Sequence, residues 1–110
     1  MITSRWQELN SELDRIIAVL IQEYQPVKII LFGSVASGDI HDWSDIDLLI
    51  VKDTNKSFYD RLEEVIEIAK PDIGADILVY TPEEIDQIKE DLFFKEEVFG
   101  KGRVLFDQYQ

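Results

Sequence analysis

An uninterrupted apolar run at residues 48–51, Leu-Leu-Ile-Val, constrains the fold more than any other feature of the sequence. A strand with one face in water alternates polar and apolar side chains, so this run indicates a strand that is covered on both faces. Two further strands, rich in β-branched and apolar residues, are predicted at 27–32 and 76–80. A sheet that is covered on both faces needs helices packed on it, which indicates an α/β or α+β domain.

Helical periodicity accounts for most of the chain between these strands. The predicted helices share an apolar face and a capping residue or proline at one end, and they cover residues 4–25, 57–70 and 81–98. A short last strand is predicted at 103–106. The chain is therefore expected to form one mixed sheet of about four strands with flanking helices, in a single domain over residues 1–110.

Composition excludes several kinds of site. The 110 residues include no Cys and one His, which excludes disulfides and thiolate metal sites and disfavours a multi-histidine zinc site. With 23 acidic against 11 basic residues, the net charge of −12 disfavours direct binding to nucleic acid, which requires a basic surface. The apolar runs are too short to span a membrane and the N-terminal residues lack an apolar signal region, so we expect no membrane association and a cytoplasmic location.

Acidic residues stand at the start of two predicted strands. Asp45 and Asp47 head the second strand, and alternation along a strand points both to the same side, about 7 Å apart. If the first two strands pair antiparallel, the turn Gly33-Ser34 lies beside them. If the intervening helix is a crossover, the third strand runs parallel to the second and brings Asp76 to the same edge. We therefore expect three carboxylates and a Gly-Ser turn to converge.

This arrangement indicates chemistry on phosphates. Three close carboxylates repel one another, and a divalent cation removes that repulsion. Oxygen ligands without sulfur or imidazole suit Mg²⁺ or Mn²⁺. The backbone N–H groups of the Gly-Ser turn and the hydroxyl of Ser34 suit phosphate oxygens, as in phosphoryl or nucleotidyl transfer assisted by two metal ions. The alternative is that these acids are solvent-facing residues at the starts of strands.

The motif Gly33-Ser34, followed by ten residues and then Asp45-Ile46-Asp47, resembles the GS-x10-DxD signature of the DNA polymerase β-like nucleotidyltransferase superfamily. The chain is most similar to its smallest branch, the minimal nucleotidyltransferases of prokaryotes. The resemblance implies that Asp45, Asp47 and Asp76 are catalytic metal ligands, and that Asp76 also activates an acceptor hydroxyl. It implies that Gly33 and Ser34 bind the nucleotide. It further implies two Mg²⁺ ions, with Mn²⁺ as an alternative, and transfer of AMP from ATP with release of pyrophosphate.

The same resemblance implies a partner and a role. Minimal nucleotidyltransferases commonly accompany a HEPN-domain toxin, so the chain is expected to be an antitoxin that adenylylates a tyrosine of that toxin. Relatives often carry an arginine just before the second glycine, where this chain has Ser37, and no base lies between Phe32 and Val51. This difference supports a second hypothesis, a weak or inactive binding module that neutralises its partner by contact. Transfer to a small molecule such as an aminoglycoside ranks lower.

Aromatic residues are expected in the core or at an interface rather than around a cofactor. Trp43 is expected to pack its loop against the sheet, and His41 is expected to be a solvated loop residue. The other aromatic residues concerned are Phe93, Phe94, Phe99 and Phe106. Some of them are candidates for contact with a partner protein or with a second copy of the chain, so a homodimer and a hetero-oligomer both stay open.

Overall fold

The computed structural model describes residues 4–110, so residues 1–3 of the predicted domain lie outside it. The helices are α1 (Arg5–Val19), α2 (Gly33–Ser37), α3 (Phe58–Ala69) and α4 (Pro82–Ile88), with π-helical segments at Leu20–Tyr24 and Phe94–Gly100. The strands are β1 (Lys28–Phe32), β2 (Ile46–Val51), β3 (Ala75–Tyr80) and β4 (Arg103–Asp107). Across this range no helix combines the length and the apolar character needed to cross a membrane.

One four-stranded mixed sheet, in the order β3-β2-β1-β4, forms the centre of the fold and confirms the predicted fold class. β1 pairs antiparallel with both β2 and β4. β2 pairs parallel with β3, and α3 is the crossover between them. The pairing predicted for the first three strands is therefore right. It brings the end of β1 and the starts of β2 and β3 to one edge of the sheet.

The non-alternating run in β2 is buried on both faces of the sheet. Leu48 and Ile50 pack in one apolar cluster with residues of α1 and α3. Leu49 and Val51 pack in a second cluster on the other face, together with Val98 of the C-terminal π-helical segment. Helical elements therefore cover both sides of β2, which explains why its sequence contains no polar position after Asp47.

The first two predicted helices, residues 4–25 and 57–70, are observed as α1 with its π-helical turn and as α3, and a serine side chain caps each N-terminus. At the start of α1, Ser4 Oγ accepts a hydrogen bond from the Gln7 N–H at 3.1 Å. The α1 helix continues through its π-helical turn to Gln25, where the backbone adopts a left-handed conformation with φ of 54°. Ser57 caps α3 in the same way, accepting from the Asp60 N–H at 3.3 Å.

The last predicted helix, residues 81–98, is wrong as a single element. α4 ends at Ile88, and the helical path restarts after Asp91. Asp91 provides a local physical reason, because its side chain accepts a hydrogen bond from the Phe93 N–H at 3.0 Å, as a helix N-cap does. The break turns the C-terminal π-helical segment so that Val98 packs under the sheet and Glu97 reaches the edge where β1 ends.

Candidate functional site

The structure brings Asp47 and Asp76 side by side. They are direct register partners on the parallel strands β2 and β3, and Phe32 is the partner of Asp47 on β1. Side chains at matched positions of neighbouring strands project from the same face of the sheet. Asp45 lies immediately before β2, at the same edge. Strand pairing alone therefore brings together Asp47 and Asp76, which lie far apart in the sequence.

The charge on Asp47 is disfavoured by its surroundings. Burial raises its pKa, and the Asp76 carboxylate raises it further through its charge and through a shared hydrogen bond. Asp45 adds a smaller repulsion, and together these effects raise the pKa of Asp47 to about 6. At neutral pH the site therefore holds negative charge at an energetic cost, which a bound cation would remove.

Two glycines give the carboxylates their positions. Gly33 adopts a left-handed φ of 76°, and a Cβ atom built on it would collide with Oδ2 of Asp47. A Cβ atom on Gly74 would lie 2.6 Å from Oδ1 of Asp45. Each carboxylate thus occupies space that any residue other than glycine would fill. The turn after β1 and the turn before β3 both need glycine for the site to form.

A buried serine that sequence reasoning missed connects the Gly-Ser turn to β2. Ser44 is 2% exposed, and its hydroxyl accepts hydrogen bonds from Ser34 Oγ at 3.1 Å and from the His41 N–H at 2.9 Å. Its carbonyl accepts from Arg5 Nη2 at 2.8 Å, and the same nitrogen lies 3.9 Å from Oδ1 of Asp45. These contacts fix Ser34 and Asp45 relative to each other. Only the position of Ser44 next to Asp45 hinted at this role, and nothing in the sequence links Arg5 to it.

Two clefts open on this edge of the sheet. The larger cleft, of about 650 Å³, exposes Asp47 and Asp76 beside apolar side chains that include Phe32, Leu62, Ile66 and Phe93. A second cleft, the loop cleft, has about 350 Å³ and is lined by Gly33, Ser34, Ser37, Asp39, Glu97 and Lys101. Gly33 and Glu97 line both clefts. The site therefore has an apolar side next to Asp76 and a polar side next to Ser34.

The residues present fit a hard divalent cation, although they do not form a closed cage. Between residues 4 and 110, no group of three or more His, Cys, Asp and Glu side chains is arranged to hold a metal ion by itself. The donors that do meet, Asp47 and Asp76, offer only oxygen, and Asp45 stands beside them in contact with Arg5. Mg²⁺ is usually bound by one or two carboxylates, with water and substrate phosphates completing its shell. This open pair has the character of such a site.

Two other residues, Trp43 and Lys52, lie away from the positions that packing or a role in the site would favour. Trp43 is 77% exposed, so the expectation that it packs against the sheet is wrong; it contacts His41 instead, with ring centroids 5.5 Å apart. Lys52 follows the far end of β2, where its ammonium donates to the Tyr24 carbonyl at 2.6 Å. It is therefore not available to the Gly-Ser turn.

We predict that Asp47→Asn stabilises the metal-free protein at neutral pH. Because the pKa of Asp47 is raised in the folded state, ionisation favours unfolding, and stability is lost as the pH rises from about 4 to about 6. After allowance for solvent screening, the gain should be about 1–2 kcal/mol at pH 7.5 and close to zero at pH 4. Urea unfolding in EDTA measures it, with Asp53→Asn, an exposed acid beyond the far end of β2, as the control. Equal or lower stability of Asp47→Asn at pH 7.5 would contradict the prediction.

Comparisons with known proteins agree with this geometry. No curated protein matches the chain significantly. A solved structure of a candidate nucleotidyltransferase from Sulfolobus solfataricus has a similar fold, with a TM-score of 0.68 at 20% identity, over 96% of this chain and 86% of that one. The family described as polymerase beta, nucleotidyltransferase, matches residues 14–110, which include the whole of the carboxylate edge. The chain therefore belongs to the polymerase beta nucleotidyltransferase family.

Proposed function

We propose that the protein is a metal-dependent nucleotidyltransferase that transfers AMP from ATP to a hydroxyl group and releases pyrophosphate. The observation that carries this proposal is the side-by-side placement of Asp47 and Asp76, with Gly33 and Ser34 at the same edge of the sheet. Carboxylates in this arrangement suit a divalent cation, and the Gly-Ser turn suits phosphates. Membership of the family supports the reaction class.

In this proposal, each residue of the site would have a separate role in the reaction. Asp45, Asp47 and Asp76 would hold one or two Mg²⁺ ions, or Mn²⁺, which supply positive charge to the triphosphate and to the attacking and leaving oxygens. Ser34 and the backbone of Gly33 would orient the phosphates. Asp76, which is exposed beside Asp47, would accept the proton of the acceptor hydroxyl. The acceptor oxygen then bonds to the α-phosphorus while the bond between that phosphorus and the pyrophosphate oxygen breaks.

The larger cleft favours an aromatic acceptor. Beside the Asp76 carboxylate it presents Phe32 and Phe93, with Leu62 and Ile66 from α3. Such a wall gains free energy by burying an aromatic ring, whereas a sugar hydroxyl would lose hydrogen bonds to water there. This supports a tyrosine side chain as the hydroxyl donor. We propose that the tyrosine belongs to a HEPN-domain toxin, and that its adenylylation is how the protein acts as an antitoxin.

A contact-only antitoxin is the second candidate, and Ser37 favours it. The Ser37 hydroxyl donates to the Ser34 carbonyl at 3.2 Å, so its hydrogen bond serves the loop itself. Loss of one charged hydrogen bond to phosphate costs about 1.5–3 kcal/mol. That cost corresponds to roughly tenfold to a hundredfold weaker nucleotide binding. In this alternative, the protein keeps the fold and neutralises its partner by binding alone.

Label transfer from ATP separates the two candidates. ATP labelled at the α-phosphate is incubated with Mg²⁺, the purified protein and a lysate of its host. We expect a labelled protein band with the wild type and with the control Asp14→Asn/Asp53→Asn, which removes two exposed acids away from the site. We expect none with Asp45→Asn/Asp47→Asn. If no band forms while the wild type still captures a partner from the lysate, the contact-only candidate is favoured.

We predict that Asp76→Asn separates chemistry from nucleotide binding. A general base contributes about 10²–10⁴-fold to a rate, so transfer should fall by about that factor. Affinity for ATP should change less than the rate does, because Asp45, Asp47 and the Gly-Ser turn remain in place. Single-turnover rates and nucleotide titrations of the same samples measure both quantities. A rate within threefold of the wild type would exclude Asp76 as the proton acceptor.

A further inference from the structure

We infer that Lys101 supplies to the nucleotide phosphates the positive charge that α2 and Gly38 lack, and that Glu97 holds this lysine until phosphate binds. The inference rests on the proposed function, and it identifies a specificity-determining residue for a triphosphate. Sequence analysis found no base between Phe32 and Val51. The basic residue that faces this segment is instead Lys101, which lies far from it in the sequence.

The loop cleft places Lys101 opposite the Gly-Ser turn. Gly33, Ser34 and Ser37 line one part of the cleft, together with Asp39, which follows α2. Glu97 and Lys101 line the other part. Lys101 is the single cation among the residues that line this cleft within 4–110. A ligand that fills the cleft would thus meet the backbone of the Gly-Ser turn and one ammonium, which are groups that suit a phosphate chain.

The turn that carries Lys101 is anchored to β1. β4 begins at Arg103, whose register partner on β1 is Leu31, two residues before Gly33. The Gly102 N–H donates to the Val98 carbonyl at 3.0 Å, and a Cβ atom on Gly102 would lie 3.0 Å from the Leu31 carbonyl oxygen. Only glycine allows the turn to pass so close to β1. Lys101 is therefore held at a fixed distance from the Gly-Ser turn by the backbone, even though its side chain is exposed.

The ion pair of Lys101 is of a kind that a phosphate can replace. Its ammonium lies 3.1 Å from Oε1 of Glu97, one helical turn earlier, and both side chains are largely exposed at 69% and 48%. Exposed pairs of this type are weak because water screens them. A triphosphate carries several negative charges, so it competes effectively for the ammonium. The other nearby base, Arg5, is occupied by the Ser44 carbonyl and Asp45.

Calorimetric titration with an ATP analogue that has a methylene group between its α- and β-phosphates tests the inference without turnover. In the presence of Mg²⁺, Lys101→Gln should weaken binding roughly tenfold, the scale for one charged hydrogen bond. Lys101→Arg should stay within about threefold of the wild type, because the charge remains. The matched control is Lys95→Gln, which removes the same charge from the preceding π-helical segment, where Lys95 pairs with Glu90 outside the cleft. It should leave the affinity unchanged.

Two further measurements assign the effect to the phosphates. Inorganic tripolyphosphate should show the same loss with Lys101→Gln, and the affinity of the wild type should fall more steeply with added KCl than that of the variant. Glu97→Gln should act in the opposite direction and tighten binding by about twofold to fivefold, since it frees Lys101 and removes a negative charge from the cleft. Weaker binding by Glu97→Gln would overturn the role given to Glu97.

The outcomes distinguish this inference from the proposed function. If wild type and Lys101→Gln bind the analogue and tripolyphosphate equally well, Lys101 has no role in phosphate binding, while the nucleotidyltransferase proposal stands. If the wild type binds neither probe with Mg²⁺ present, the proposed function fails and the inference fails with it. A selective loss with Lys101→Gln, restored by Lys101→Arg, supports both.

Discussion

The parallel register of β2 and β3 is the constraint on which the rest of the site depends. It makes Asp47 and Asp76 direct neighbours, and their repulsion together with burial raises the pKa of Asp47 to about 6. A protein keeps such an unfavourable pair when function requires it, and strained electrostatics of this kind cluster at functional sites. The glycine at position 33 leaves room for the Asp47 carboxylate and also permits the left-handed backbone conformation of this turn.

Strand pairing also divides the site into two sides with different chemistry. The apolar cleft next to Asp76 suits an acceptor ring, and the polar loop cleft next to Ser34 suits a phosphate chain. The two clefts share Gly33 and Glu97, so an acceptor and a nucleotide bound in them would meet beside Gly33, which adjoins the Asp47 carboxylate. The proposed reaction at that junction would require that the large negative charge of the chain, −12, be offset locally. Divalent ions would offset part of it and Lys101 another part.

The sequence was sufficient to predict the parts of the fold that local rules determine. The apolar run 48–51 predicted a strand covered on both faces, and the crossover rule predicted that Asp76 would arrive beside Asp47. The break after Ile88 was missed because helical periodicity continues across it, and a capping contact of Asp91 decides the outcome. Arg5 and Lys101 were missed for a different reason. They reach the site through the packing of α1 and the pairing of β4 with β1, and neither contact leaves a local pattern.

Binding of Mn²⁺, followed by electron paramagnetic resonance, tests the central claim most directly: that the carboxylate edge is a metal-dependent nucleotide site. The wild type should bind Mn²⁺ weakly alone and at least tenfold more tightly with the methylene analogue of ATP, because the phosphates complete the metal shell. Asp45→Asn/Asp47→Asn should lose this nucleotide-dependent binding, whereas Asp14→Asn/Asp53→Asn should keep it. Equal Mn²⁺ binding by the wild type and Asp45→Asn/Asp47→Asn, with or without the analogue, would contradict the account.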